Sequence, residues 1–245
     1  MDHHHHHHHH HHHDDTHIHG DSHGHNYADA NKQYFNETAQ KWDAHPEAQE
    51  MARRLTAAMK STYPTLFDEE RTTVLDFACG TGLISRELCA DTTSIVGVDI
   101  SSGTVDQYNL RASNQGLAPE EMRAICVDLK GTEGELDGAK FDVVVCASSF
   151  HHFSSVKDVM RTLVFFLKPG GSLLVTDVMK DADESELFPQ NVHHIVAHPH
   201  GFDKSDMRKV FEGAGLSDFR FTSAFSAKFH GKDVKCFLAK GVKQE

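Results

Sequence analysis

From Arg71 onward the chain alternates short apolar runs with amphipathic stretches, and no other feature of the 245 residues limits the fold so strongly. Thr72 to Phe77, Ser94 to Ile100, Arg123 to Val127, Phe141 to Cys146 and Ser172 to Asp177 read as strands. Between the last two, Val156, Val159, Met160, Leu163, Val164 and Leu167 fall on one helical face, closed by Lys168-Pro169-Gly170-Gly171. Strands and helices alternating in this order predict a parallel sheet with helices on both sides. The end differs. Asp203 can cap a helix lined by Met207, Val210, Phe211 and Ala214 and stopped at Gly215. Phe219 to Phe225 and Val234 to Ala239 then read as two strands joined by a short polar turn, a hairpin-like pair that closes the sheet.

The segment ahead of this domain divides in two. Tyr27 to about Tyr63 is helical in pattern: Ala48, Met51, Ala52, Leu55, Ala58 and Met59 share a face, and Pro46 suits a first turn. Residues 27–70 are thus expected to form a helical cap on a domain spanning 71–245. Residues 1–26 are of low complexity, with His3 to His13 unbroken and His17, His19, His23 and His25 following. A segment with so little to bury is expected to be disordered without a ligand.

Charge and cysteine usage narrow the function. Net charge is −12, and without the first 25 residues there remain 32 acids against 24 bases, or −8. An acidic body repels phosphate backbones, so a small molecule is expected as substrate and nucleic acid is not. The five cysteines are odd in number and lack a C-x-x-C pair, which favours reduced thiols in a cytosolic setting. The longest apolar run beside a helix, Leu163 to Leu167, is far short of a bilayer span, and the N-terminus lacks a signal-peptide core. A cytoplasmic protein with no membrane partner is expected.

Three acids carry the chemistry. Asp76 to Gly82 supplies an acid and two glycines, Gly80 and Gly82, where a strand runs into a helix. Backbone can approach a ligand closely there, and the helix start offers free N–H groups. The dinucleotide fingerprint would want glycine where Ser85 stands. Seventeen residues past Gly82, Asp99 ends a second strand, where a carboxylate can accept from a ribose diol. Asp128 ends a third, where it can accept from an exocyclic amine such as that of adenine. Three acids at successive strand ends converge on the crevice where open sheets bind ligands.

Taken together, these segments resemble the class I S-adenosylmethionine-dependent methyltransferases, in particular the small-molecule group of ubiquinone and menaquinone biosynthesis. The resemblance spans about Tyr27 to Lys240. It implies an α/β fold: a Rossmann-like seven-stranded sheet, mostly parallel, with an antiparallel C-terminal edge strand and an N-terminal helical cap. It implies S-adenosylmethionine as cofactor, S-adenosylhomocysteine as product and no catalytic metal. The implied cofactor-binding residues are Asp76, Ala78, Gly80, Thr81 and Gly82 (the methionine-moiety loop), Asp99 and Ile100 (ribose), Asp128 and Leu129 (adenine), and Ser148, Tyr27 and Trp42. The family often has glycine at the position of Ala78. Its cap often carries an alanine, aromatics and an aromatic-Asp pair, matched by Phe35, Ala39, Trp42 and Asp43, which would close over the cofactor.

Methyl transfer from a sulfonium is an in-line displacement, so positioning supplies much of the catalysis. The expected reaction is transfer to oxygen, nitrogen or sulfur, less readily carbon, of a small acceptor. A base is needed only for a weakly acidic hydroxyl or a protonated amine. His151, in Phe150-His151-His152 after the fourth strand, is one candidate; His200, beside Gly201-Phe202, is another. His193, His194, His198 and His200 together could bind a metal or shape the acceptor pocket. The tail from His3 to His25 could hold a divalent metal, since imidazole suits nickel, zinc or copper. Two other functions fit less well: a metal-responsive protein on a non-catalytic fold, and a methyltransferase acting on proteins.

Overall fold

The computed structural model describes residues 24–229 and 231–245. Its sheet contains β1 (Thr73–Phe77), β2 (Ser94–Asp99), β3 (Met122–Cys126), β4 (Phe141–Ala147), β5 (Leu167–Val178), β6 (Leu216–Phe229) and β7 (Lys232–Lys243), in the order β3-β2-β1-β4-β5-β7-β6. Neighbours from β3 through β5 pair in parallel; β7 runs antiparallel to both β5 and β6. The C-terminal pair closes one side of the sheet as its hairpin pattern requires, with β7 inboard and β6 outermost. The Lys168-Pro169-Gly170-Gly171 segment lies inside β5, where the register with β4 slips between Leu167 and Ser172. Glycines and proline there deform the ladder without ending the strand.

Apolar residues cover both faces of the central strands, which is what parallel strands between two helical layers demand. Val74, Ile95, Val143, Val145, Leu174 and Leu238 bury one face together with Met59 and Leu88. Leu75, Val96, Val144, Leu173 and Phe237 bury the other against α5 (Val156–Phe165) and α6 (Lys204–Gly213), through Met160, Leu163, Met207 and Phe211. The α6 helix starts in a reciprocal cap: Asp203 accepts from the Asp206 N–H and Asp206 from the Asp203 N–H. Among the described residues no helix is long and apolar enough to cross a membrane.

Ahead of the sheet, α1 (Tyr27–Asp43) and α2 (Pro46–Thr62) pack on the domain rather than standing apart from it. The α2 helix buries Ala48, Ala52, Leu55, Thr56 and Met59, close to the face its spacing marks out. The α1 helix is held by polar anchors. Asn36 accepts from the Ser101 hydroxyl at 2.7 Å and the Gly103 N–H at 2.8 Å, at the start of α4 (Ser102–Asn114). At its other end Asp43, fully buried, pairs with Arg86 of α3 (Leu83–Leu88) and with Arg111 of α4 at 2.6 Å. A buried carboxylate between two guanidinium groups is satisfied only while all three are in place.

Asp43→Ala is expected to lower unfolding free energy by about 3 kcal/mol, because both guanidinium groups lose their buried partner. Urea denaturation checks it. Trp42→Ala, one residue away on an exposed position, is expected to cost about 1 kcal/mol or less.

Candidate functional site

The sheet changes direction of winding at β1, which pairs with β2 on one side and β4 on the other. Loops leaving β1 and β4 therefore part, and the gap beyond their carboxyl ends is where open α/β sheets place ligands. The loop after β1 folds as a tight hook. Ala78, Gly80 and Gly82 all have positive φ, at 57°, 54° and 86°. Ala78 thus stands in a conformation that suits glycine better, at a cost of roughly 1 kcal/mol. At Gly82 a Cβ would come within 2.5 Å of the buried Tyr108 ring, so neither backbone nor space admits a side chain.

Asp99, at the end of β2, holds this hook. One oxygen accepts the Gly80 N–H at 2.9 Å and the other the Ser101 N–H at 2.9 Å. Burial raises its pKa, while these N–H groups pull it back down. Asp76 is buried in β1 and accepts from the Ser85 hydroxyl at 2.6 Å. Burial, reinforced by the charge of Asp99, pushes its carboxyl up to about 7 despite the Ser85 hydrogen bonds. Ser85, where a dinucleotide loop would carry glycine, therefore serves Asp76. The Thr81 hydroxyl is buried in the hook and finds no partner among the described residues. Such an orphan beside close-approach backbone is a vacant donor and acceptor for a polar ligand.

The remaining candidates divide. Ser148 has φ 53° and donates its N–H to Thr176 O at 2.8 Å, on the β4 side of the gap; Leu129 is buried and Ile100 half-buried. Tyr27 is half-buried at the start of α1, its ring 4.5 Å from that of His25. Asp128 is not drawn in with Asp76 and Asp99: its side chain is 66% exposed and paired with Lys130 at 2.6 Å. Trp42 is 38% exposed and stacks on His45, so the buried member of that helix end is Asp43. His200 is exposed, its Nδ1 2.8 Å from Glu184 O. His193 and His198 likewise address carbonyls, of Phe188 and Phe153, and His194 meets Tyr34. No set of metal-ligating side chains gathers among the described residues. The tail as far as residue 23 lies outside them.

His151 is buried after β4, and its Nδ1 lies 2.9 Å from Asp177 Oδ1 in β5. The same carboxylate accepts the His151 backbone N–H at 3.0 Å. Asp177 was not singled out from sequence, although it closes the apolar run Leu173-Leu174-Val175 as Asp76 and Asp99 close theirs. Asn36 gave no such signal, since an asparagine on an amphipathic helix is ordinarily solvated.

Comparison with known proteins places the chain. The methyltransferase-domain family model matches residues 49–219, and the chain belongs to that family. An uncharacterised methyltransferase of Schizosaccharomyces pombe is 36% identical over 151 residues, 59% of this chain and 53% of that protein. A ubiquinone biosynthesis O-methyltransferase of Idiomarina loihiensis is 24% identical over 59% of this chain and 61% of its own length. The chain thus spans little more than half of these relatives. Among solved structures, the magnesium protoporphyrin IX methyltransferase of Synechocystis PCC 6803 with bound S-adenosylhomocysteine has a TM-score of 0.65 at 18% identity, covering 89% of this chain and 100% of that one. The [4+2]-cyclase SpnF has a TM-score of 0.68 at 18% identity, over 89% and 96%. At such identities the structures establish the fold.

Because Asp76 holds its proton up to about pH 7 when folded and only to about 4 when unfolded, the folded state binds the extra proton between those values. Its contribution to stability is present below pH 4 and lost as pH rises towards 7. Asp76→Asn is expected to flatten this fall by a few kcal/mol, measured as urea midpoints at pH 5 and pH 8.

Proposed function

We propose that the chain transfers a methyl group from S-adenosylmethionine to a small-molecule acceptor. The observation that carries this is the hook from Ala78 to Gly82, pinned by Asp99 and holding an unpartnered Thr81 hydroxyl at the winding change of the sheet. In this reading the Gly80–Gly82 backbone and Thr81 take the methionine moiety. Asp99, with lone pairs left after two N–H bonds, takes the ribose diol. Leu129 lies under the adenine, and Asp128 is free to turn from Lys130 towards its amine. The bound cofactor supplies an activated methyl group; these residues hold it in line with the acceptor. Asp76 is poised near neutrality, so a cationic group docking beside it would release its proton. The relatives' printed names, a ubiquinone biosynthesis O-methyltransferase and a malonyl-[acyl-carrier protein] O-methyltransferase of Priestia megaterium, support an acceptor other than nucleic acid.

A cyclase of this fold shows that the architecture alone does not require methyl transfer, so turnover must be measured. With methyl-labelled cofactor and fractionated cell extract, label is expected in a small molecule, with S-adenosylhomocysteine formed in equal amount. Binding without transfer would overturn the catalytic reading. Asp99→Ala is expected to weaken S-adenosylhomocysteine at least ~30-fold by calorimetry, for about 2 kcal/mol of lost hydrogen bonding. Undiminished affinity would remove Asp99 from the site.

A further inference from the structure

Two adjacent histidines follow β4, and their surroundings assign them different work. The Asp177 carboxylate can only accept, so the proton it meets sits on Nδ1 of His151, at 2.9 and 3.0 Å from its two oxygens. Nε2 is left with its lone pair and has no hydrogen-bond partner among the described residues. The ring is gripped between Phe188, at 4.5 Å, and His152, at 4.0 Å, and the His151 carbonyl accepts from Ala197 and His198 N–H. His152 donates Nδ1–H to Ile195 O at 2.6 Å, and burial together with the charge of His151 holds it well below the usual imidazole range. Of the two rings, only His151 has a carboxylate on one nitrogen and its other nitrogen open to a ligand.

The walls around this dyad are apolar. Phe188 packs with Leu187, Val192, Ile195, Val196 and Val178, and Phe35 stands edge-on to His152. Of the groups near the dyad, the two thiols stay protonated at neutrality, while His193 and His198 turn their Nε2 atoms to the Phe188 and Phe153 carbonyls. Cys146 of β4 and Cys236 of β7 are raised by burial and by Asp177, Cys236 to about 12. Arg54 of α2, over the Phe225 ring at 4.2 Å, has no carboxylate partner among the described residues. Asp177 spends both oxygens on His151 and on the Val178 N–H. With its oxygens so engaged, Asp177 offers none to an ammonium, and the nearby charge of Arg54 opposes one. A thiol would need little help to lose its proton.

We infer that the acceptor is a hydroxyl group on an apolar body, that Nε2 of His151 takes its proton, and that Asp177 is the residue positioning His151. This rests on the methyl-transfer reading above. The acceptor oxygen forms the new bond to the methyl carbon, and the methyl–sulfur bond breaks with its electron pair left on sulfur. The hydroxyl proton passes to Nε2, and the imidazolium is balanced by Asp177 until solvent takes the proton.

Nitrogen-resolved NMR of the imidazoles in the full chain with S-adenosylhomocysteine is expected to show His151 protonated at Nδ1 and bare at Nε2 at pH 8. Asp177→Asn is expected to shift that proton to Nε2 and lower kcat about 100-fold or more, with KM little changed. His151→Gln is expected to abolish the low-pH limb of the rate profile while S-adenosylhomocysteine affinity stays within about twofold; it also covers the case in which Asp177→Asn fails to fold. The label from cell extract is expected on oxygen, as an ether or ester. Label on nitrogen, sulfur or carbon, an Nε2–H tautomer in the unaltered protein, or a rate indifferent to both substitutions would overturn the inference. Absence of any label transfer by the unaltered protein would instead overturn the methyl-transfer reading itself.

Discussion

The carboxylate of Asp99 accepts one N–H from the loop after β1 and another from the turn into α4, and the geometry of the site follows from that pair of bonds. They fix the hook from Ala78 to Gly82 against the end of β2. They also leave Asp99 only partly neutralised and half-buried, so its charge reaches Asp76. Two carboxyl groups this close in a poorly solvated place cannot both ionise freely. The inner one keeps its proton towards neutrality; burial raises the outer one as well, and its backbone N–H bonds oppose that rise. A single arrangement thus shapes the loop and divides the electrostatic labour between the two acids.

The core makes such strand-end sites necessary. Where both faces of a strand are apolar, polar side chains are tolerated only at its ends, where loops supply N–H partners. Asp76 lies nearest to breaking this rule, and Ser85 and the retained proton meet the cost. Asp177 is comparably buried, and His151 meets it with two N–H groups. That common logic is why acids closing apolar runs mark strand ends in the sequence, and Asp177 closes its run in the same way.

Legibility failed in a consistent way. Strands, the α5 and α6 faces and the closing antiparallel pair were readable because periodicity reports burial, which is local in sequence. Asp128 ends its run as Asp99 does, but its surroundings differ: it is exposed and paired with Lys130 two residues on, a contrast the apolar run alone does not report. Trp42 and Asp43 invite the same confusion. The aromatic residue draws attention, but the helix phase turns it outward and turns the acid into the cleft between Arg86 and Arg111. Those partners lie 43 and 68 residues away along the chain, a distance no local pattern spans. The placing of β7 between β5 and β6 is equally non-local, decided by its pairing with both.

The cap and the histidine pair meet on one strip of backbone. Asn31 of α1 donates to Ile195 O at 3.0 Å, and His152 donates to the same carbonyl at 2.6 Å. One acceptor with two lone pairs therefore ties the first helix to the turn after β4. Two residues on, the Ala197 N–H returns to His151 O. Moving α1 would pull on Ile195, and through it on the rings that flank His151, although α1 touches neither Asp177 nor β5 through these bonds. The seating of the cap and the setting of His151 therefore share one carbonyl, that of Ile195.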